Sequence, residues 1–230
     1  MELFYDPDFK GQGVLNESES KHCINVLRHK IGDIITVADG KGHYFRCTIV
    51  TAHPKKCDLE LVETQKFAEP DVKIHLAVAP TKNIDRFEWL IEKAMELGVS
   101  EITPLLCNHS ERKKVRTDRL ERIVVAAMKQ SLKAHMPIIN ELTPFDSFIK
   151  QENPKGYIAH CYDSVKTPLK NAYQTKSDCT LCIGPEGDFS LEEVNKATAA
   201  NYEAVSLGQS RLRTETAGLI ACHTIHLLNE

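Results

Sequence analysis

The stretch "CTLCIGPEGDFSLEEVNKA", residues 179–197, decides how the larger part of the chain is read. Its first five residues form an unbroken apolar-rich run, the pattern of a strand covered on both faces. Gly184, Pro185, Glu186 and Gly187 then make a tight loop, and two glycines permit unusual backbone angles and close approach to a ligand. Ser190 followed three residues later by Glu193 spells a capping box, with Phe189 and Val194 at the staple positions, so a helix starts immediately. In open α/β sheets ligands bind where strands end. The loop therefore stands where a ligand would sit.

The same grammar extends outward. Residues 72–79, "VKIHLAVA", are a second buried strand. A helix over 84–97 puts Ile84, Phe87, Leu90, Ile91, Ala94 and Leu97 on one stripe, with Gly98 as its stop. "SEITPLL" is a strand, and the following helix carries Leu120, Ile123, Val124, Ala127, Met128 and Leu132 inward. "GYIAHC" and "EAVSL" are further strands. Such alternation predicts a parallel sheet with helices on both faces, in one domain over residues 72–230. Residues 1–68 read as a small, barrel-like β unit. "DIITVADGKGHYFRCTIV" is a hairpin around Asp39-Gly40-Lys41-Gly42, "KCDLELVE" a third strand, and a short helix over 19–28 turns Ile24 and Leu27 inward. The polar, proline-bearing "TQKFAEPD" is the boundary.

Composition narrows the function classes. No apolar run reaches the length of a membrane span, and "MELFYDPDFK" lacks the pattern of a secretory signal, so a cytoplasmic protein is expected. The 8 cysteines then read as reduced thiols. The pair Cys179 and Cys182 lies three apart on a strand, facing opposite sides, so no metal is expected there. The net charge is −3, yet eight basic residues stand against three acidic ones between His109 and His135. Arg112, Lys113, Lys114, Arg116, Arg119, Arg122, Lys129 and Lys133 are that cluster, a solvated face or a nucleic-acid patch. There is no P-loop, zincin, dinucleotide or nucleophile-elbow motif.

The second unusual stretch is "LGQSRLRTETAGLIACH", residues 207–223. Gly208 ends a strand, "QSRLR" is a loop, and Thr214 or Thr216 can cap the apolar helix that follows. Glu215 in its first turn suits the helix dipole, whereas Arg211 and Arg213 are electrostatically misplaced there. Local rules tend to be broken at functional sites, so an anionic or electron-rich partner is implied.

"IGPEGDFS" at 183–190 followed by "LGQSRLRTETA" at 207–217 closely resembles the ribosomal RNA small subunit methyltransferase E family. "HCINVLRHKIGD" (22–33), "IEKAMELGVSEITPL" (91–105), "SERKKVRTDR" (110–119) and "AMKQSLKAHMP" (127–137) agree, in order, over nearly the whole chain. The resemblance implies a SPOUT-type parallel α/β sheet with a C-terminal trefoil knot and a PUA-like N-terminal RNA-binding domain. It also implies a homodimer that uses S-adenosyl-L-methionine to methylate N3 of a uridine, the uridine-1498 type site, in 16S rRNA of the small ribosomal subunit. Cofactor contacts would come from Ile183, Gly184, Pro185, Glu186, Gly187, Leu207, Gly208, Leu212, Arg213, Thr214, Thr216 and Ala217. Arg213 would stabilise charge on the uracil carbonyls, with Glu215 or Glu186 as general base or cofactor-orienting group. Lys21, His22, Arg28, Arg112, Lys113, Lys114, Arg116, Arg119 and Lys133 would contact RNA. The family commonly has Pro and Arg where this chain has Gln209 and Ser210, and a second glycine at Asp188. Rival readings are a SPOUT enzyme acting on tRNA or 23S rRNA, a non-catalytic ribosome-assembly factor, and a phosphate- or nucleotide-binding module.

Overall fold

The computed structural model describes residues 2–230. Two compact units emerge, residues 1–69 with 125–136, and residues 70–124 with 137–230.

The first unit is a five-stranded sheet of β1 (Leu3–Tyr5), β2 (Gly13–Leu15), β3 (Ile34–Ala38), β4 (His43–Thr51) and β5 (Cys57–Lys66), in the order β1-β3-β4-β5-β2. Phe45, Cys47 and Ile49 alternate inward along β4 with exposed Arg46 and Val50, the period-2 pattern of a strand with one buried face. They meet Phe4, Phe9, Leu15, Val37 and Leu59 in one core. Two register shifts in the β4–β5 pairing bend the strands, and the sheet is the curled, PUA-like one expected. The hairpin turn is closed by Asp39, whose carboxylate accepts from the amides of Lys41 (2.7 Å) and His43 (3.0 Å). Gly42 has φ 94°, and a Cβ there would lie 2.5 Å from the His135 ring. The expected helix begins earlier than residue 19. Asn16 caps α1 (Glu17–Lys21) through the Glu19 amide, and a π-helical turn, His22–Val26, continues it.

The second unit holds β6 (Ile74–Val78), β7 (Glu101–Leu106), β8 (Ile138–Ile139), β9 (Thr143–Pro144), β10 (Lys155–Ala159), β11 (Thr167–Pro168), β12 (Cys179–Ile183) and β13 (Glu203–Ser206). The strands run in the order β11-β13-β10-β12-β6-β7-β8, with β9 beside β7, and every pairing is parallel. Parallel strands need crossovers, and helices supply most of them. Those helices are α2 (Ile84–Glu96), α3 (Thr117–Ser131, counted with the first unit from residue 125 on), α4 (Phe145–Phe148), α5 (Leu169–Ala172), α6 (Leu191–Ala199) and α7 (Thr214–Leu228). Register aligns Ala77, Ile158 and Cys182 across three strands, and α4 and α6 cover that face with Phe145, Phe148, Val194 and Ala197. The opposite face belongs to α2 and α7, which pack so closely that a Cβ on Gly218 would meet Leu90 at 2.8 Å. Gly156 on β10 is constrained in the same way, since a Cβ would strike the Tyr202 ring at 2.3 Å. Among the described residues no helix is long and apolar enough to cross a membrane.

Candidate active site

At the carboxyl end of β12 the chain turns sharply. The Pro185 carbonyl accepts from the Asp188 amide at 2.9 Å, and Asp188 adopts φ 65°. Asp is one of the few residues that tolerate this left-handed region. The Asp188 carboxylate then accepts from the Phe189 amide (2.8 Å) and from the Cys161 amide just beyond β10 (2.7 Å). The capping box forms as expected, Ser190 and Glu193 each bonding the other's amide.

Three further segments grip this loop. The Thr214 hydroxyl donates to the Gly184 carbonyl at 3.0 Å. The Lys82 amide donates to Glu186 Oε1 at 2.8 Å. His109 Nδ1 lies 3.0 Å from the carbonyls of both Gly187 and Asp188, so that nitrogen carries the proton. Beside it, Asn108 donates through its amide to Glu193 and through Nδ2 to Ser190. The glycine loop is thus a rigid cradle.

A cleft of about 780 Å³ opens at the ends of β10, β12 and β13. Ile183, Gly184, Pro185, Glu186, Gly187, Leu207, Gly208, Leu212, Arg213, Thr214 and Ala217 line it, eleven of the twelve residues expected to bind a cofactor. Thr216, half-buried, does not. The arginines Arg211 and Arg213 are both exposed on its wall. Arg213 stands at the N-cap position of α7 without a side-chain cap bond. This corrects the capping reading of Thr214 and Thr216, because Thr214 lies inside the first turn and spends its hydroxyl on Gly184. The two candidate carboxylates also separate. Glu186 is exposed in the cleft, whereas Glu215 is buried outside it, 3.8 Å from Arg86 Nε.

Sequence reasoning missed the turn after β10. His160, Cys161, Tyr162 and Lys166 all line the cleft. Lys166 Nζ donates to the carbonyls of His160 (3.0 Å) and Tyr162 (2.5 Å), and the Tyr162 hydroxyl donates to the Phe189 carbonyl (2.8 Å). The strand-end rule that nominated Gly184 applies equally to "GYIAHC" and was the available signal.

The basic residues fare unequally. Arg112 donates to the carbonyls of Thr81 (3.0 Å) and Lys82 (2.6 Å), bracing the segment that holds Glu186. Arg116 forks onto Asp118, and Arg119 pairs with Glu88. Lys113 and Lys114 are exposed with no ionic partner among the described residues. In the first unit, Lys21 and Arg28 are exposed, Lys133 is half-buried, and the His22 ring meets Phe4 edge-on at 6.1 Å.

A parallel α/β unit with a loop-walled cleft at its strand ends, in a chain that also carries a curled β unit, defines a recognisable class. A family model described as RNA methyltransferase domain matches residues 68–226, and one described as RNA methyltransferase PUA domain matches residues 15–62. The ribosomal RNA small subunit methyltransferase E of Synechocystis is 31% identical over 94% of this chain and 73% of its own length. That of Rickettsia conorii is 29% identical, covering 88% and 84%. A crystal structure of a "probable rRNA-methyltransferase" from Porphyromonas gingivalis is 40% identical with a TM-score of 0.93, covering 100% of this chain and 98% of that one. The Neisseria gonorrhoeae ribosomal RNA small subunit methyltransferase E, crystallised with S-adenosyl methionine, is 25% identical with a TM-score of 0.88 and the same coverage. The chain belongs to the ribosomal RNA small subunit methyltransferase E family.

Proposed function

We propose that this protein is a cytoplasmic, homodimeric S-adenosyl-L-methionine-dependent methyltransferase that modifies N3 of a uridine in 16S rRNA of the small ribosomal subunit. One observation carries the reading. The two stretches that resemble the family's paired motifs, Ile183–Ser190 and Leu207–Ala217, are drawn together on one cleft by the Thr214–Gly184 bond. The cleft suits the cofactor chemically. Ile183, Val205, Leu207 and Leu212 offer apolar walls, the cradle needs Gly184 because a Cβ there would press on Phe189 at 3.0 Å, and His160 Nδ1 is a buried polar atom without a partner. S-adenosylmethionine, when bound, supplies an electrophilic methyl group.

The protein's own groups would do the rest. Arg213, exposed at the rim, is the cation proposed to stabilise negative charge on the uracil carbonyls as the N3 proton leaves. Glu186 is proposed as the group that takes that proton or orients the cofactor, and its bond to the Lys82 amide leaves carboxylate lone pairs free. Glu215 would act indirectly, through Arg86. Chain path favours the trefoil knot, since β13 lies beyond β10 from β12 and yet the segment after it returns to Gly184. Exposed apolar Trp89, Ile220 and Leu227 on α2 and α7 favour the dimer. The test is methylation of small subunits that lack the modification, with mass mapping of the product nucleoside. Methyl transfer only to tRNA or 23S rRNA would instead select a different SPOUT substrate.

A further inference from the structure

β10 ends at Ala159, paired in register with Ile183, so the next residue lies beside the entrance to the glycine loop. That residue is His160. It is 9% exposed, it lines the cleft, and its Nδ1 has no hydrogen-bond partner. Buried polar atoms are nearly always paired, so an unpaired one that lines a ligand cleft calls for a partner there.

The ring is also held still. Lys166 fastens the His160 carbonyl, the Cys161 amide is fastened to Asp188, and Tyr162 is fastened to Phe189 while its ring packs 5.7 Å from the imidazole. All three tethers run through groups other than the imidazole, which leaves Nδ1 uncommitted. Burial, reinforced by the Lys166 ammonium and only partly opposed by Asp188, holds the imidazole below its ordinary range and therefore uncharged near neutral pH. A neutral ring offers one nitrogen lone pair and one N–H without repelling a sulfonium cation.

We infer that His160 Nδ1 makes a direct hydrogen bond to bound S-adenosylmethionine, so that a residue outside both glycine-loop and arginine-loop motifs sets part of this chain's cofactor affinity. This rests on the proposed use of the cleft. It assigns the buried nitrogen to the ligand rather than to packing.

The experiment uses S-adenosylhomocysteine, the stable product, titrated calorimetrically into the full-length protein and its variants. His160→Phe keeps a ring and removes the nitrogen, and should weaken binding about tenfold, the worth of one such bond. His160→Asn places an amide near the Nδ1 position and should remain within about threefold of the parent. In the unsubstituted protein, the side-chain ¹⁵N signal of His160 should move on titration, a reading that needs no variant to fold. Unchanged affinity in His160→Phe, or an ¹⁵N signal that stays still while the ligand binds, overturns the inference and leaves the cofactor reading intact. No binding of the ligand by the unsubstituted protein overturns both.

Discussion

Thr214 and Gly184 are joined by a hydrogen bond of 3.0 Å across a sequence separation of 30 residues. The bond ties the first turn of α7 to the end of β12, and both of its atoms are buried. Thr214→Val keeps the shape and strands the Gly184 carbonyl, so it should destabilise the protein by about 1–3 kcal/mol. Thr214→Ser restores the donor and should recover most of that loss. Urea unfolding of both variants measures the difference, and a stable Thr214→Val beside a destabilised Thr214→Ser would mean that the methyl group, not the hydroxyl, is what matters.

Arg213 has no partner on the helix that it caps. If its role is to meet charge developing on the RNA base, Arg213→Ala should lower turnover at saturating cofactor and RNA by about 10²–10³-fold. Cofactor affinity should change far less. Single-turnover kinetics beside calorimetry separates the two, and wild-type turnover would remove Arg213 from the chemistry.

The salt dependence of RNA binding should single out Lys113 and Lys114. Arg112 is committed to the Thr81 and Lys82 carbonyls, and Arg116 and Arg119 to carboxylates, so the free lysines are the phosphate contacts to expect. Each lysine-to-alanine change should reduce the slope of log K against log salt by roughly one. Arg112→Ala, by contrast, should also weaken cofactor binding, because it loosens the segment that holds Glu186. Slopes unchanged in both lysine variants would move the RNA surface elsewhere.

Cys161 is the one exposed cysteine of the eight, and it lies on the cleft wall. Burial pushes the thiols of Cys47 up to about 11 and Cys179 up to about 12, which makes them poor nucleophiles. Iodoacetamide should therefore label Cys161 first. S-adenosylhomocysteine at ten times its Kd should slow that labelling about tenfold, followed by mass spectrometry of the peptide. Labelling at an unchanged rate would place the ligand away from the turn after β10.

What the sequence displays most clearly is what local physics decides. The capping box at Ser190, the stripe with its buried Phe87, Leu90, Ile91 and Ala94, and the stop at Gly98 are each set by neighbours within four residues, and all are found. The parallel sheet and the curled β unit follow from the change of period near residue 70. The two-residue strands β8, β9 and β11 are too short to carry any period. Thr214 shows a different limit. A threonine ahead of an apolar helix looks like a cap, and its true acceptor is a carbonyl on another element that competes successfully for the hydroxyl. The turn bearing His160 and Lys166 is marked in the sequence only by its place after a strand, because the bonds that fix it to Asp188 and Phe189 reach far along the chain. Asn16 was a legible cap signal, three residues before Glu19, and it moves the helix start forward.

Asp188 narrows what its position can become. The backbone there, at φ 65°, admits glycine, asparagine or aspartate with least strain. Glycine would keep the angle and release the Cys161 amide, so the turn that presents His160 would need another anchor. A related chain with glycine at 188 should therefore hold its turn at 160–162 by a different contact, whatever side chains stand there. A cleft whose outline is common to a family can in this way be lined by side chains that belong to one lineage.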